Sequence, residues 1–215
     1  MTTTEIEIIE HLWIRMSDGI RLSAKVWLPV GARSKPVPSI LEFIPYRKRD
    51  SYALRDHANH AWFAARGYGC IRPDMRGHGD SEGVMFDEYS VREQEDALEV
   101  IEWLADQDWC TGKVGMMGIS WGGIASLQAA TKQPPALKAV IAVGSSVDRY
   151  YDDAGYLVGG YPGQGLGWGG VMCGYCIRPP DPDVVGMKWR AMWLERLEKT
   201  PLFIEKWLSH QLRDE

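Results

Sequence analysis

Val114-Gly115-Met116-Met117-Gly118-Ile119-Ser120-Trp121-Gly122-Gly123 is the stretch that decides how this chain is read. An apolar run leads into a sharp turn, a serine stands at its tip, and a helical pattern over 121–132 begins at once. Glycines lie two residues before and two after the serine, where a Cβ would collide in so tight a turn. The pattern is the Gly-x-Ser-x-Gly nucleophile elbow, in which a strained turn leaves the hydroxyl exposed above a sheet, at the positive end of a helix. A developing oxyanion is stabilised in that position. Five matching letters carry little weight alone; the strand before and the helix after give the motif its specificity. The competing reading of Ser120 is an ordinary strand-to-helix turn whose hydroxyl caps the helix.

Upstream, Ile6, Ile8, Leu12, Ile14 and Met16 share one parity, opposite Glu5, Glu7, His11 and Arg15. Past Ser17-Asp18-Gly19, the residues Ile20, Leu22, Ala24, Val26 and Leu28 share a face opposite Arg21, Ser23 and Lys25. Period two around an Asp-Gly turn predicts a hairpin with one solvated face. The pattern then changes to short apolar strands at 40–44, 69–72, 113–117 and 137–143, the last read as buried, separated by helical stretches. One helix is expected over 57–66. Another opens at Ser90-Val91-Arg92-Glu93, which has the form of a capping box. The fold class is therefore α/β, with a mixed, mostly parallel sheet and helices on both faces. Residues 148–176 are rich in Gly and Tyr without strand periodicity, and helix-like stretches follow at 184–199 and 202–212. Residues 1–146 thus read as the N-terminal part of the α/β domain, and 147–215 as a loop with a partial helical cap.

The 215 residues can bury one core plus a small appendage. A net charge of −5 without blocks of like charge leaves no footprint for nucleic acid. No apolar run is long enough to cross a bilayer. The N-terminus has neither the basic nor the apolar region of a secretory signal, so a cytoplasmic protein is expected. Four cysteines in such a chain do not suggest a disulfide framework. Cys70 falls in a core strand, Cys110 in a turn, and Cys173-x-x-Cys176 in a loop lacks the second ligand pair that zinc requires. No metal and no cofactor are expected. The ten tryptophans are scattered and read as packing residues.

The elbow aims the Trp121 backbone N–H at the oxyanion, while its indole can line the pocket. A second donor should come from the loop after strand 40–44, which reads Pro45-Tyr46-Arg47-Lys48-Arg49-Asp50. The Tyr46 phenol can take the place of a main-chain amide there. It can equally be a packed surface tyrosine, and chemistry alone leaves both open.

Four further stretches accompany the elbow: Ser17-Asp18-Gly19-Ile20-Arg21-Leu22, Pro45-Tyr46, Asp74-Met75-Arg76-Gly77-His78-Gly79-Asp80-Ser81-Glu82-Gly83, and Trp109-Cys110-Thr111-Gly112-Lys113-Val114-Gly115. Together they resemble the family of X-prolyl dipeptidyl peptidases, cocaine-esterase-like enzymes and α-amino-acid ester hydrolases, over about the first 150 residues. The resemblance implies an α/β-hydrolase fold and an acyl-enzyme on Ser120, formed from a small-molecule ester or a short peptide with a small acyl side. It implies that Tyr46 gives its hydroxyl, and Trp121 its amide, to the oxyanion. It also implies structural roles for Arg76 and Asp80, and makes His78 a loop residue rather than a base.

A serine nucleophile needs a base and an acid that orients it, which in this fold follow on later strands. Only strand 137–143 follows Ser120, and the sole downstream histidine is His210. Asp148, Asp152, Asp153, Asp181 and Asp183 all fall in the loop or cap, while His57 and His60 precede the serine and read as surface residues. The expectation is an N-terminal portion of a longer serine hydrolase. The triad Asp and His and the last sheet strands would then lie beyond Glu215, leaving this chain inactive or weakly active. Two other functions fit the same residues. One is a non-catalytic interaction protein that self-associates through an unpaired sheet edge. The other is a simple carboxylesterase or thioesterase.

Overall fold

The computed structural model describes residues 4–50, 52–149, 151 and 164–211. Six strands form one sheet in the order β1-β2-β4-β3-β5-β6. They are β1 (Ile6–Arg15), β2 (Arg21–Pro29), β3 (Val37–Leu41), β4 (Gly69–Pro73), β5 (Cys110–Ile119) and β6 (Leu137–Val143). The first two are antiparallel to their neighbours, and β4, β3, β5 and β6 run parallel. Helix α1 (Ala53–Ala64) covers one face, where Ala64 meets Trp27 and Cys70. Helices α2 (Val91–Ala105) and α3 (Trp121–Thr131) cover the other, placing Val100, Ile101, Leu104 and Ala125 against Leu22, Leu41, Ile71 and Val114. Parallel strands buried between helices explain why the middle of the chain reads as continuous apolar runs rather than as alternation.

The hairpin departs from its expected pattern. The register slips between Ile9 and Leu12, so that Ile9 faces Val26 and Leu12 faces Ala24. One extra residue inverts the parity of everything beyond it. Ile6 therefore packs with Trp27, whereas Leu12 and Ile14 pack in the main core with Leu22. Nor is β2 solvated on one face, since Ser23 and Trp27 are as buried as Val26 and Leu28.

Three other expectations are corrected. Strand β3 ends at Leu41, and Glu42-Phe43-Ile44 continue as irregular backbone toward Tyr46. Cys110 is the first residue of β5 rather than part of a turn. Strand β6 is present but not buried: among the described residues it pairs only with β5, and Ile141 and Val143 are 52% and 49% exposed.

The cap region contains more helix than its composition suggested. Helix α4 (Gln164–Ile177) runs through the Gly-rich segment and carries Cys173 and Cys176, which are therefore not in a loop. It is followed by α5 (Pro182–Val185), a short 3-10 turn (Gly186–Lys188), α6 (Trp189–Lys199) and α7 (Phe203–Gln211). Each glycine costs a helix about 1 kcal/mol relative to alanine. Tertiary packing compensates, because a Cβ on Gly169 would lie 2.6 Å from Ile204 and 3.2 Å from Trp207 on α7. Close approach of the two helices requires the glycine. No described helix is long and apolar enough to cross a membrane.

Candidate active site

Strand β5 ends at Ile119 and α3 begins at Trp121, leaving Ser120 alone at the turn with φ 53° and ψ −116°. Its backbone N–H donates to Val143 O on β6 at 2.8 Å, and its side chain makes no capping bond to α3. Of the two readings of this serine, the capping one is therefore not realised. The turn closes so tightly that a Cβ on Gly118 would sit 2.3 Å from the Gly122 carbonyl carbon. Only glycine fits at Gly118. Ser120 itself is exposed.

Tyr46 comes from the loop after β3 and is 4% exposed. Its hydroxyl lies close enough to the Ser120 side chain and to the backbone of Trp121 for both to act on its ionisation. Burial pushes the phenol up to about 12, against the opposing influence of the Ser120 side chain and the Trp121 backbone. Tyr46 is thus a protonated donor at neutral pH. Its ring is held by Tyr52, stacked at 4.7 Å, and by Tyr175 and Trp168 of α4 at 5.7 and 6.0 Å. The cap helix and the sheet loop therefore meet over the serine, and the reading of Tyr46 as a mere surface residue fails on burial.

Trp121 has no exposed surface. Its indole stacks on Tyr89 at 4.5 Å and donates Nε1–H to Glu93 Oε1 at 2.6 Å. Glu93 is legible from sequence only as the fourth residue of a capping box. The Ser90 half of that box forms, with Ser90 Oγ accepting the Glu93 N–H at 3.2 Å. The Glu93 carboxyl instead turns toward the tryptophan, and nothing in the local pattern signals that.

The Tyr46 loop is anchored by a residue that sequence reading passed over. Lys48 is fully buried and donates to Asp74 Oδ2 and Asp80 Oδ2, both at 2.8 Å, and to Ser23 Oγ at 2.9 Å. Its three ammonium protons are all used. Despite burial, the Lys48 ammonium and the Arg72 guanidinium hold the Asp74 carboxyl down at about 2. The Asp74-to-Gly83 loop is thus a scaffold: Arg76 pairs with Asp96 and Asp18, and Asp80 accepts the Asp181 N–H from the cap.

Four histidines fall within the described side chains, and among the described residues none is bonded to Ser120. His11 is exposed on β1. His57 accepts the Trp27 indole N–H at 3.3 Å. His60, expected at the surface, is fully buried on α1, 3.1 Å from Glu42 Oε2 and with its ring tilted against Trp27 at 4.8 Å. His78 is also fully buried. Its Nδ1 lies 3.1 Å from Arg76 O and its Nε2 3.3 Å from Cys176 Sγ, and burial pushes it down to about 4. Asp181 caps α5 and pairs with Arg49. Asp152, Asp153 and the side chain of His210 lie outside the described residues.

Glu42, Asp56 and His60 bring potential ligand atoms within 4.8 Å of one another. Arg55 already bonds both carboxylates and Arg72 bonds Asp56. Two guanidiniums against two carboxylates leave no net charge to attract a divalent cation, so this cluster is an ion-pair network.

A family model described as X-Pro dipeptidyl-peptidase (S15 family) matches residues 18–215. The cocaine esterase of a Rhodococcus species is 32% identical over 151 residues, covering 70% of this chain and 26% of that protein. A putative Xaa-Pro dipeptidyl-peptidase of Bacillus anthracis is 27% identical over 248 residues, covering 93% of this chain and 40% of that protein. A CocE/NonD family hydrolase from Staphylococcus aureus superimposes with a TM-score of 0.73 at 23% identity, over 98% of this chain and 37% of its own. An α-amino acid ester hydrolase superimposes with a TM-score of 0.61 at 28% identity, over 74% of this chain and 28% of its own. The chain spans 26% to 40% of the length of the two curated relatives.

Proposed function

The chain belongs to the X-Pro dipeptidyl-peptidase (S15) family, and on that premise we propose that Ser120 is the nucleophile of an ester or peptide hydrolase. The observation that carries this reading is the meeting of the Ser120 side chain, the Tyr46 hydroxyl and the Trp121 backbone at a turn held at positive φ. In the reaction Ser120 Oγ attacks the substrate carbonyl, and its proton passes to a base. The carbonyl oxygen becomes an oxyanion bonded by Tyr46 O–H and Trp121 N–H. Collapse expels the alcohol or amine, which takes the proton, and leaves the acyl group on Ser120 until water removes it. The base and its orienting acid are assigned to residues other than the described histidines. Cocaine esterase and Xaa-Pro dipeptidyl-peptidases among the relatives support an ester or an X-Pro peptide as substrate.

The test is acylation. Incubated with p-nitrophenyl acetate, the chain should gain one acetyl group on the peptide containing Ser120, read by mass spectrometry, and Ser120→Ala should not. Among the described residues no histidine is bonded to Ser120, so turnover should be slow, as in a triad with one member removed, which retains only about 10³–10⁴-fold catalysis over water. Failure to find acetyl on Ser120 would overturn the assignment. Comparing aryl esters with an Ala-Pro anilide separates a simple esterase from a peptidase.

A second reading is supported by β6, whose outer edge is unpaired among the described residues and whose Ile141 and Val143 are exposed. Such an edge can add a strand from another copy of the chain. Sedimentation should then show association that weakens when Ile141 is changed to lysine. A concentration-independent monomer would refute it.

A further inference from the structure

We propose that Glu93 is a positioning residue: its carboxyl fixes the Trp121 indole and, through it, the backbone N–H that receives the oxyanion. This rests on the reading of Ser120, Tyr46 and Trp121 given above. Glu93 lies in the first turn of α2 and is 8% exposed. Its Oε1 accepts Trp121 Nε1–H at 2.6 Å and its Oε2 accepts Tyr89 N–H at 2.9 Å. The rings of Tyr89 and Trp121 stack at 4.5 Å with 30° between their planes. One carboxyl thus ties together two stacked aromatics, one from the segment entering α2 and one from the first residue of α3.

A capping role does not account for this arrangement. In a capping box the N3 carboxyl reaches back to the N-cap N–H. Here the N-cap is Ser90, yet the Glu93 carboxyl reaches past it to Tyr89 and across to Trp121. The backbone at the turn also needs a hold on this side. Before Ser120, the contact of Gly118 with Gly122 leaves no freedom. After it, the first N–H groups of a helix have no partner within the helix to fix them, and the Trp121 side chain is what is anchored. Oxyanion donors must be held to within about 0.5 Å of the productive geometry.

Behind Glu93 lies a cavity of about 450 Å³ with an apolar wall of Phe43, Met75, Val84 and Met85. Burial, with Glu88 and Asp96 adding repulsion, pushes the Glu93 carboxyl up to about 8. The charged groups facing this space are Arg92 and Asp96 on α2, and Arg76 and Asp87 on the segments before it. Glu195 and Lys199 face it from α6. All but Glu93 belong to ion pairs, so Glu93 is the carboxyl whose ionisation the Trp121 indole senses directly.

The test uses the full chain with ¹⁵N-labelled tryptophan. The Trp121 indole resonance, identified by its loss in Trp121→Phe, should lie far downfield. It should move further downfield as pH rises through about 8, when ionisation strengthens the bond. In Glu93→Gln it should shift upfield and stay flat with pH. Acetylation of Ser120 should slow by about tenfold or more in Glu93→Leu, as expected for a displaced donor. Glu93→Gln, which keeps an acceptor for the indole, should recover most of the rate. Glu93→Leu combined with Trp121→Phe should be no slower than the slower single variant, since both remove one interaction. Wild-type rates in Glu93→Leu, or additive losses in the double variant, would overturn the proposal. An unperturbed indole resonance in Glu93→Gln would overturn it alone, whereas absence of any Ser120-dependent acetylation would overturn the reading of Ser120 along with it.

Discussion

Replacing Lys48 with methionine keeps the stem and removes the charge, leaving Asp74 and Asp80 facing each other without their shared cation. Lys48 is fully buried and sits 2.8 Å from both carboxylates. Breaking a buried ion pair by removing one partner costs about 3–5 kcal/mol. Two features of the structure place this case at the lower end. Asp74 keeps the N–H of residue 48 at 2.7 Å and that of Asp80 at 3.0 Å, neither of which depends on the ammonium. A cavity of about 290 Å³ lined by Asp74 and Asp80 also admits water. The expected loss is therefore about 3 kcal/mol at pH 7.5, or a Tm lower by roughly 6–12 °C for a chain of this size. The assay is urea unfolding followed by circular dichroism at pH 7.5 and pH 4. In the wild type Asp74 titrates at about 2, below its ordinary value of 3.8, so its stabilisation is present above 3.8 and lost as pH falls through about 2. Without the ammonium the Asp74 carboxyl binds a proton more readily, so the gap between variant and wild type should narrow at pH 4. A loss below 1 kcal/mol at pH 7.5, or a gap of equal size at both pH values, would refute the reasoning. Because residue 48 is two positions from Tyr46, acetylation of Ser120 should slow as well.

Other outcomes follow from the same structure. Gly118→Ala forces a Cβ to within 2.3 Å of Gly122 and should cost about 1–3 kcal/mol, as other overpacking does, with loss of Ser120 acetylation; calorimetry showing an unchanged Tm would contradict the close contact. Tyr46→Phe removes one oxyanion donor and should lower the acetylation rate by about 10²-fold or more with little change in stability; a wild-type rate would assign the oxyanion elsewhere. His60, Arg72 and Arg55 hold Glu42 at about 2 against an ordinary 4.5 despite burial, a depression of about 3 kcal/mol that is present above pH 4.5 and lost as pH falls toward 2. Glu42→Gln should therefore flatten the acid limb of the stability–pH curve, and an unchanged limb would show that the network does not stabilise the fold.

The α/β class, a sheet that is mostly parallel after its first strands, and the positions of Ser120 and Trp121 were legible locally, because each rests on short-range rules. A glycine two residues either side of a turn serine, an apolar strand and an immediate helix are constraints within ten residues. Tyr46 was legible as a candidate from its place after β3, but its alternatives separated only once the ring was seen buried among Tyr52, Trp168 and Tyr175. The hairpin bulge escaped because inserting one residue reverses a period-two pattern without altering its composition. Helix α4 escaped because its glycines oppose helix formation locally, and the contact that rewards Gly169 comes from α7.

By itself, then, the sequence determined the strand–turn–helix that exposes Ser120 and the family to which the chain belongs. Tertiary structure alone decided which charged residues are buried with partners, and it drew Lys48 and Glu93 into the support of Tyr46 and Trp121. The physical reason is range. Backbone strain and hydrophobic period act between near neighbours and leave their mark in order along the chain. Lys48 and Asp74 are 26 residues apart, and Glu93 and Trp121 are 28, so each pair acquires its meaning only where the fold removes water from between them.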